Sequence, residues 1–251
     1  VSYDVTCIIP VKNGEKTIER AVLSAFEAGC KYVSAYDDGS TDGTGEIIRK
    51  LQQKQWEAKD KAPHEEGVLY PSNLWAVPDV LYTPFVKYSK GGDFSYGVNF
   101  ARNFLISQAP WGLIICLDAD DELIDVRPLV EAYEDGSWIY GDYIQDDRGN
   151  RSRINGFATG TLPRRNITGV SFLFHKQDWL KVGGFDPDFA YAEDYAFQCA
   201  LTNAGVKPIY TPHLIYQRHL NDGQNERTAM ANLYWIFYRD MCRAKYPNVF
   251  K

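Results

Sequence analysis

Val5-Thr6-Cys7-Ile8-Ile9-Pro10 opens the stretch from which the fold is read, a β-branched apolar run stopped by proline. That is the pattern of a buried strand. Ile18, Ala21, Val22, Ala25 and Phe26 follow at i, i+3, i+4, i+7 and i+8, one apolar stripe of a helix that Gly29 is placed to end. Tyr32-Val33-Ser34-Ala35-Tyr36 reads as a second strand. It runs into the turn Asp37-Asp38-Gly39-Ser40-Thr41-Asp42 and a helix carrying Ile47, Ile48 and Leu51. Strand, helix, strand, helix in one short segment predicts a parallel sheet with right-handed crossovers.

Outward from there, residues 53–95 break the rhythm. They are rich in Pro, Gly, Trp and Tyr without a lasting period, and read as a long loop or insertion with one short strand near Phe85-Val86-Lys87-Tyr88. A helix is expected over 94–108. Leu113-Ile114-Ile115-Cys116-Leu117 is another apolar strand, ending in Asp118-Ala119-Asp120-Asp121. Beyond it the pattern is mixed: strands near 138–144 and 170–174, a helix over 193–204 before Gly205, and a strand near 208–216. A last amphipathic helix carries Met230, Leu233, Tyr234, Phe237 and Met241. No repeat, low-complexity tract or linker divides the chain, so the expectation is a single domain over 1–251.

The 251 residues include 27 basic and 33 acidic side chains, a net charge of −6, and 45% hydrophobic residues, enough for one sizeable core. No apolar run exceeds about six residues, against the roughly 20 that cross a bilayer. Val1-Ser2-Tyr3-Asp4 has no signal-peptide character. The five cysteines are an odd number, dispersed in apolar stretches, and read as reduced core residues of a cytoplasmic protein. The acidic balance argues against wholesale binding of a phosphate backbone. An enzyme or a small-molecule binder remains.

In open α/β sheets ligands bind beyond the carboxyl ends of the strands. Two strands end there in paired acids, Asp37-Asp38 and Asp118-Ala119-Asp120. The i, i+2 spacing points Asp118 and Asp120 to one side, where they suit a hard divalent cation completed by water and substrate phosphates. A D-x-D pair alone is weak, since acidic loops also arise as helix caps, and Asp42 reads as such a cap. Asp121 and Glu122 add to the cluster, and like charges this close are costly without a cation. Neither G-x-G-x-x-G nor G-x-x-x-x-G-K-[ST] occurs, which removes the dehydrogenase and kinase readings. A nucleotidyltransferase would need a glycine-rich basic loop after the first strand, and Val11-Lys12-Asn13-Gly14-Glu15-Lys16 is not one.

In order, Thr6-Cys7-Ile8-Ile9-Pro10-Val11-Lys12-Asn13-Gly14, Asp37-Asp38-Gly39-Ser40-Thr41-Asp42-Gly43-Thr44, Ala101-Arg102-Asn103, Leu117-Asp118-Ala119-Asp120-Asp121, Gly183-Gly184-Phe185-Asp186 and Glu193-Asp194 resemble the successive signatures of family-2 inverting glycosyltransferases. The resemblance runs from residue 5 to about 220. It implies the GT-A, nucleotide-diphospho-sugar transferase fold: a Rossmann-like αβα sandwich with a mostly parallel central sheet and a smaller mixed acceptor-side region. Residues 1–125, insertion 53–95 included, would form the nucleotide-sugar half. Residues 126–251 would form the acceptor half and C-terminal helix. The activity implied is inverting transfer from a nucleotide-diphosphate sugar, usually UDP-linked, with Mn²⁺ or Mg²⁺.

Carried over by residue, Pro10, Val11 and Asn13 would line the nucleotide pocket, and Asp37 or Asp38 would accept a hydrogen bond from the base. Arg102 would face the nucleotide or diphosphate, where a guanidinium fork suits phosphate oxygens. Asp118, with Ala119 beside it, would contact ribose or metal, and Asp120 would be the principal metal ligand. Asp194, or its neighbour Glu193, would be the general base, kept ionised by the helix N-terminus. His219 would be a third metal ligand and Arg218 a phosphate contact. His64, His175 and His213 read as structural, as do Trp111, Trp138 and Trp179, whereas Tyr70, Trp75 and Tyr82 are either packed or available to stack on a sugar or base.

The acceptor is expected to bear a hydroxyl: a saccharide, a polyol phosphate, a protein or a modified DNA base. Five arginines between Arg148 and Arg165, with Lys87 and Lys90, permit an anionic one, although a solvated hairpin explains them equally. The alternative class is a non-catalytic nucleotide-sugar or glycan binder.

Overall fold

Every residue of the first strand but Pro10 is buried, on both faces, which only a central strand achieves. A computed structural model of the chain describes residues 4–59, 80–82, 95–110, 112–147, 149–156, 158–220 and 228–250. Its elements are β1 (Val5–Val11), α1 (Ile18–Glu27), β2 (Tyr32–Asp37), α2 (Thr44–Lys59), β3 (Val80–Tyr82), α3 (Val98–Gln108), β4 (Leu113–Cys116), β5 (Glu122–Leu123) and α4 (Arg127–Glu131). They continue with β6 (Ser137–Asp147), β7 (Asn150–Ile154), β8 (Leu173–His175), α5 (Lys176–Val182), α6 (Glu193–Asn203), β9 (Lys207–His219) and α7 (Thr228–Lys245).

One sheet carries the strands in the order β3-β2-β1-β4-β8-β6-β9-β5, with β7 paired to β6. The strands β3, β2, β1 and β4 are parallel, as the opening pattern predicts. Direction reverses at β8, antiparallel to both β4 and β6, while β6 and β9 run parallel. Alternation sorts the core into two layers. Ile8, Ile114 and Cys116 face α3 and α6, whereas Cys7, Ile9, Leu113 and Ile115 face α1 and α2. The α1 stripe of Ile18, Ala21, Val22 and Ala25 is buried, and Gly29 past its end has the left-handed φ of 102°.

Some boundaries differ from expectation. Helix α2 runs to Lys59, into the stretch read as irregular, and the strand found there is Val80–Tyr82 beside β2. The strand expected at 85–88 lies outside the described residues, as do His64, Tyr70, Trp75 and Trp111. Helix α3 starts at Val98 rather than 94, after Gly97 with a φ of 88°. Trp138 is fully buried, and Trp179 packs partly buried against the same layer, as read.

All five cysteines are free and buried. Burial raises the Cys7 thiol well above its usual range and pushes that of Cys116 up to about 12. Among the described residues no helix is long and apolar enough to cross a membrane.

Candidate active site

The loops beyond β1 and β2 are stitched together. Asn13, at a φ of 55°, donates its backbone N–H to Ser40 Oγ (2.8 Å) and accepts from the Thr41 N–H (2.8 Å). The Gly14 N–H reaches Thr44 Oγ1 at 2.8 Å, and Asp42 accepts from the backbone of Glu15 (3.1 Å) and Thr44 (3.1 Å), so it caps α2 as read. Asp37 accepts from the Ser40 N–H at 2.8 Å. Asp38 is buried and holds the approach to α3: it accepts from the N–H groups of Tyr96 (2.8 Å) and Gly97 (2.9 Å) and from the Ser95 hydroxyl. Pro10 and Val11 end β1 directly beside these loops. Of the two acids, Asp38 is committed to protein donors on both oxygens.

Arg102 joins two segments. Its side chain is 1% exposed, with Nη2 at 2.8 Å from Asp118 and Nη1 at 2.9 Å from Glu193, and the guanidinium lies 5.3 Å from the Phe185 ring centre. Burial works to lower its pKa, but Asp118 and Glu193 outweigh that and raise it. The expected phosphate fork is therefore closed on two protein carboxylates. The next residue, Asn103, bonds both the N–H (2.8 Å) and the carbonyl (2.7 Å) of Phe185. A Cβ on Gly184 would lie 2.5 Å from Asn103 Oδ1, at a φ of +84°. The Gly183-Gly184-Phe185 segment is thus shaped by its contact with α3.

The loop after β4 gathers the acids. Asp118 is half exposed, and Ala119 is partly buried against the α1 layer. Burial first, then the charge of Asp118, raises the pKa of Asp120. Asp121 is buried, accepts from the His219 N–H at 2.9 Å, and is pushed up to about 8 by burial and by Asp118 and Asp120. The ring of His219 sits elsewhere, with Nε2 at 2.7 Å from Glu122, which also pairs with Arg20 at 3.2 Å. Among the described residues no group of three or more His, Cys, Asp or Glu is arranged to hold a metal ion.

A cavity of ≈ 220 Å³ opens between this loop and α6. Asp118, Asp121, Arg165, Asn166, Asp194 and Arg218 are in its lining. Asp194 accepts from Asn166 Nδ2 at 2.6 Å and from the Tyr195 N–H at 2.7 Å. Burial and the neighbouring Glu193 push it up to about 6, against the pull of the Tyr195 N–H, Arg102 and Asn166. It is therefore mostly ionised at neutral pH, but as a stronger base than the helix N-terminus alone would leave it. Glu193 is tied to Arg102, so only Asp194 of the pair lines the cavity. Tyr143 and Tyr216 also line it, their rings stacked at 5.0 Å. A larger cavity of ≈ 570 Å³ lies against α3 between Phe100, Phe104 and Trp179, and no carboxylate among the described residues lines it.

Sequence reading placed Arg165 only in a basic run on the acceptor side, and it missed Asn166, Tyr143, Tyr216 and the burial of Asp121. Arg165 and Asn166 lie in a segment without period, and nothing in spacing brings residue 166 to residue 194. The arginine run also looks different in three dimensions. Arg151 pairs with Asp146 at 3.0 Å, and Arg153 with the buried Asp142, which also accepts from Tyr210 (2.7 Å) and the Gly156 N–H (2.9 Å).

A sequence profile described as glycosyl transferase family 2 matches residues 6–65, the stretch holding β1, β2 and their stitched loops. No curated protein matches the chain by sequence. Among solved structures, residues 1–349 of TarS from S. aureus in complex with UDP superpose with a TM-score of 0.59 at 16% identity, covering 98% of this chain and 71% of that one. The same TarS fragment with UDP-GlcNAc gives 0.62 at 14% identity, covering 98% and 72%. The mannosyltransferase PcManGT of Pyrobaculum calidifontis, in complex with GDP-Man and Mn²⁺, gives 0.58 at 17% identity, covering 88% and 60%. The chain spans 43% of the longer TarS structure. The fold is the GT-A fold of these glycosyltransferases. Within it, the stretch 6–65 carries the sequence signature of glycosyltransferase family 2.

Proposed function

We propose that the chain is an inverting glycosyltransferase, moving a sugar from a nucleotide-diphosphate donor, UDP-linked first, to a hydroxyl acceptor with Asp194 as general base. The observation that carries this reading is Asp194 itself: an ionised carboxylate pushed up to about 6, in a cavity it shares with Asp118, Asp121 and Arg218. Such a base takes the acceptor proton as the oxygen attacks the anomeric carbon, and the diphosphate leaves on the opposite side. Asp37, with fewer protein donors than Asp38, is the better partner for the nucleotide base, beside Pro10, Val11 and Asn13. Arg218 would stabilise the charge that grows on the leaving diphosphate.

The acids after β4 fit a divalent cation. Asp118 and Asp120 would hold Mn²⁺ or Mg²⁺; burial first, and then the charges of Asp118 and Asp120, raise the neighbouring Asp121, and a cation here would relieve the part that comes from like charge. When bound, it would supply Lewis-acid stabilisation of the leaving group. His219 enters this shell only if its ring leaves Glu122.

Two of the five arginines in 148–165 are bonded to Asp142 and Asp146, so the main support for a nucleic-acid acceptor weakens. A saccharide, a polyol or a protein hydroxyl fits the cavity's mixed lining better. The free cysteines favour a reducing, cytoplasmic setting.

Calorimetric titration with UDP and then GDP, each with and without Mn²⁺, tests the donor site. The expected result is metal-dependent binding of one of them, reduced at least about tenfold by Asp120→Asn, the loss of roughly 1.4 kcal/mol. Binding of neither nucleotide would overturn the reading. Hydrolysis of UDP-GlcNAc or GDP-Man, the donors held by the structural neighbours, separates an enzyme from a binder that lacks turnover.

A further inference from the structure

We infer that Asn166 is a positioning residue for the general base, its side-chain amide fixing the plane in which the Asp194 carboxylate meets the acceptor. The inference rests on the transferase reading. The amide donates from Nδ2 to Asp194 Oδ2 at 2.6 Å, while its own oxygen accepts from the Thr168 N–H at 3.3 Å. These two partners set the amide's orientation: turned over, it would place its oxygen against a carboxylate and its NH₂ against an N–H. The remaining bond of Asp194, from the N–H of Tyr195, is local to the first turn of α6. It holds one oxygen but is made within the helix, and the terminal torsion of an aspartate is soft. Asn166 comes from a separate segment, so its bond registers the carboxylate against the cavity wall.

The chemistry of the donor matters. A cation at this place would orient Asp194 equally well but would lower its pKa and weaken it as a base. An amide orients without adding charge. The charged groups that share the surroundings are Glu193 on the same helix, Arg102 on α3, and Asp118, Asp121, Arg165 and Arg218 around the cavity; the phenols of Tyr143 and Tyr216 complete it. Asn166 is the neutral side-chain donor that bonds Asp194 directly, beside the backbone N–H of Tyr195.

The test replaces the amide with a group of similar size and no donor, Asn166→Leu, and reads two quantities. The first needs no substrate: the titration of the Asp194 carboxyl by NMR of ¹³C-aspartate-labelled protein, its resonance identified by its loss in Asp194→Asn. Loss of a hydrogen bond to the ionised form is expected to move the midpoint up by about one pH unit. The second is hydrolysis of UDP-GlcNAc. There kcat is expected to fall by about 10²-fold through misorientation, with KM changed by less than about twofold. Asn166→Ser keeps a donor and should fall between the two on both readouts. It also serves as the comparison if Asn166→Leu does not fold. An Asp194 midpoint and kcat unchanged in the folded variants would overturn the inference while leaving the transferase reading standing. Wild-type protein that binds and hydrolyses no sugar nucleotide would overturn that reading, and the inference with it.

Discussion

Asp194→Asn is expected to lower kcat by about 10³-fold while leaving affinity for the nucleotide diphosphate near the wild-type value. The substitution is nearly isosteric, and its carbonyl oxygen still accepts from Asn166, so what disappears is the ability to take a proton. On the proposed mechanism the base works when ionised. Activity should therefore fall as pH drops through about 6, where burial and Glu193 have placed this carboxyl, and that limb should be absent from the residual rate of the variant. Stability should move the other way. Because the folded protein holds this carboxyl above its ordinary value of 3.8, the native state binds more protons than the unfolded chain between the two values. The wild type thus loses stability as pH rises from about 4 to about 6. Above pH 6 the variant escapes that penalty, and its Tm is expected to be at least equal to that of the wild type. Near wild-type turnover would assign the base elsewhere, and a lower Tm with the same loss of turnover would mean that the pocket had collapsed.

Removing Arg102 carries the largest expected effect on stability. Arg102→Met leaves Glu193 and Asp118 without their shared cation and replaces a side chain that is 1% exposed. Breaking a buried ion pair from one side costs about 3–5 kcal/mol. Since the Asp118 side chain is 47% exposed and recovers water, the low end, about 3 kcal/mol, is the expectation. For a chain of this size that lowers Tm by roughly 6–12 °C. Arg102→Lys offers one point charge where two carboxylates need a fork, and should restore only part of the loss. Adding Glu193→Gln to Arg102→Met should recover stability, because the carboxylate left behind, and not the missing cation, carries most of the cost. Thermal melts of the single and double variants decide this. A drop of less than about 2 °C in the single variant would show that the bridge between α3 and α6 contributes little, since about 1 kcal/mol corresponds to 2–4 °C here.

What the sequence revealed divides along a physical line. The β1–α1–β2–α2 order was legible because β1 is an unbroken apolar run and α1 a clean stripe, both local signals. The elements β5, α4 and β7 were not, because segments of two to five residues hold too few side chains to show a period. In the site, the acids of the loops after β2 and β4 were legible as clusters. Their division of labour was not. Asp38 is set apart from Asp37 by donors at 95–97, Glu193 is claimed by a guanidinium 91 positions earlier, and Asp194 by an amide 28 positions earlier. His219 illustrates the same limit: its position after β9 was anticipated, but its bond to Glu122, 97 positions away, depends on β5 and β9 lying side by side.

The buried thiols have a practical consequence. Cys7 lies in β1, Cys30 ahead of β2, Cys116 in β4, Cys199 in α6 and Cys242 in α7, so the native chain offers no exposed sulfur to an alkylating reagent. The thiolate is the reactive form, and burial disfavours it at Cys7, Cys116 and Cys199. Each sulfur can react only while its own element is open. The molecule thus carries a set of internal clocks, and their separate labelling rates would rank the layers of the fold from the first to open to the last.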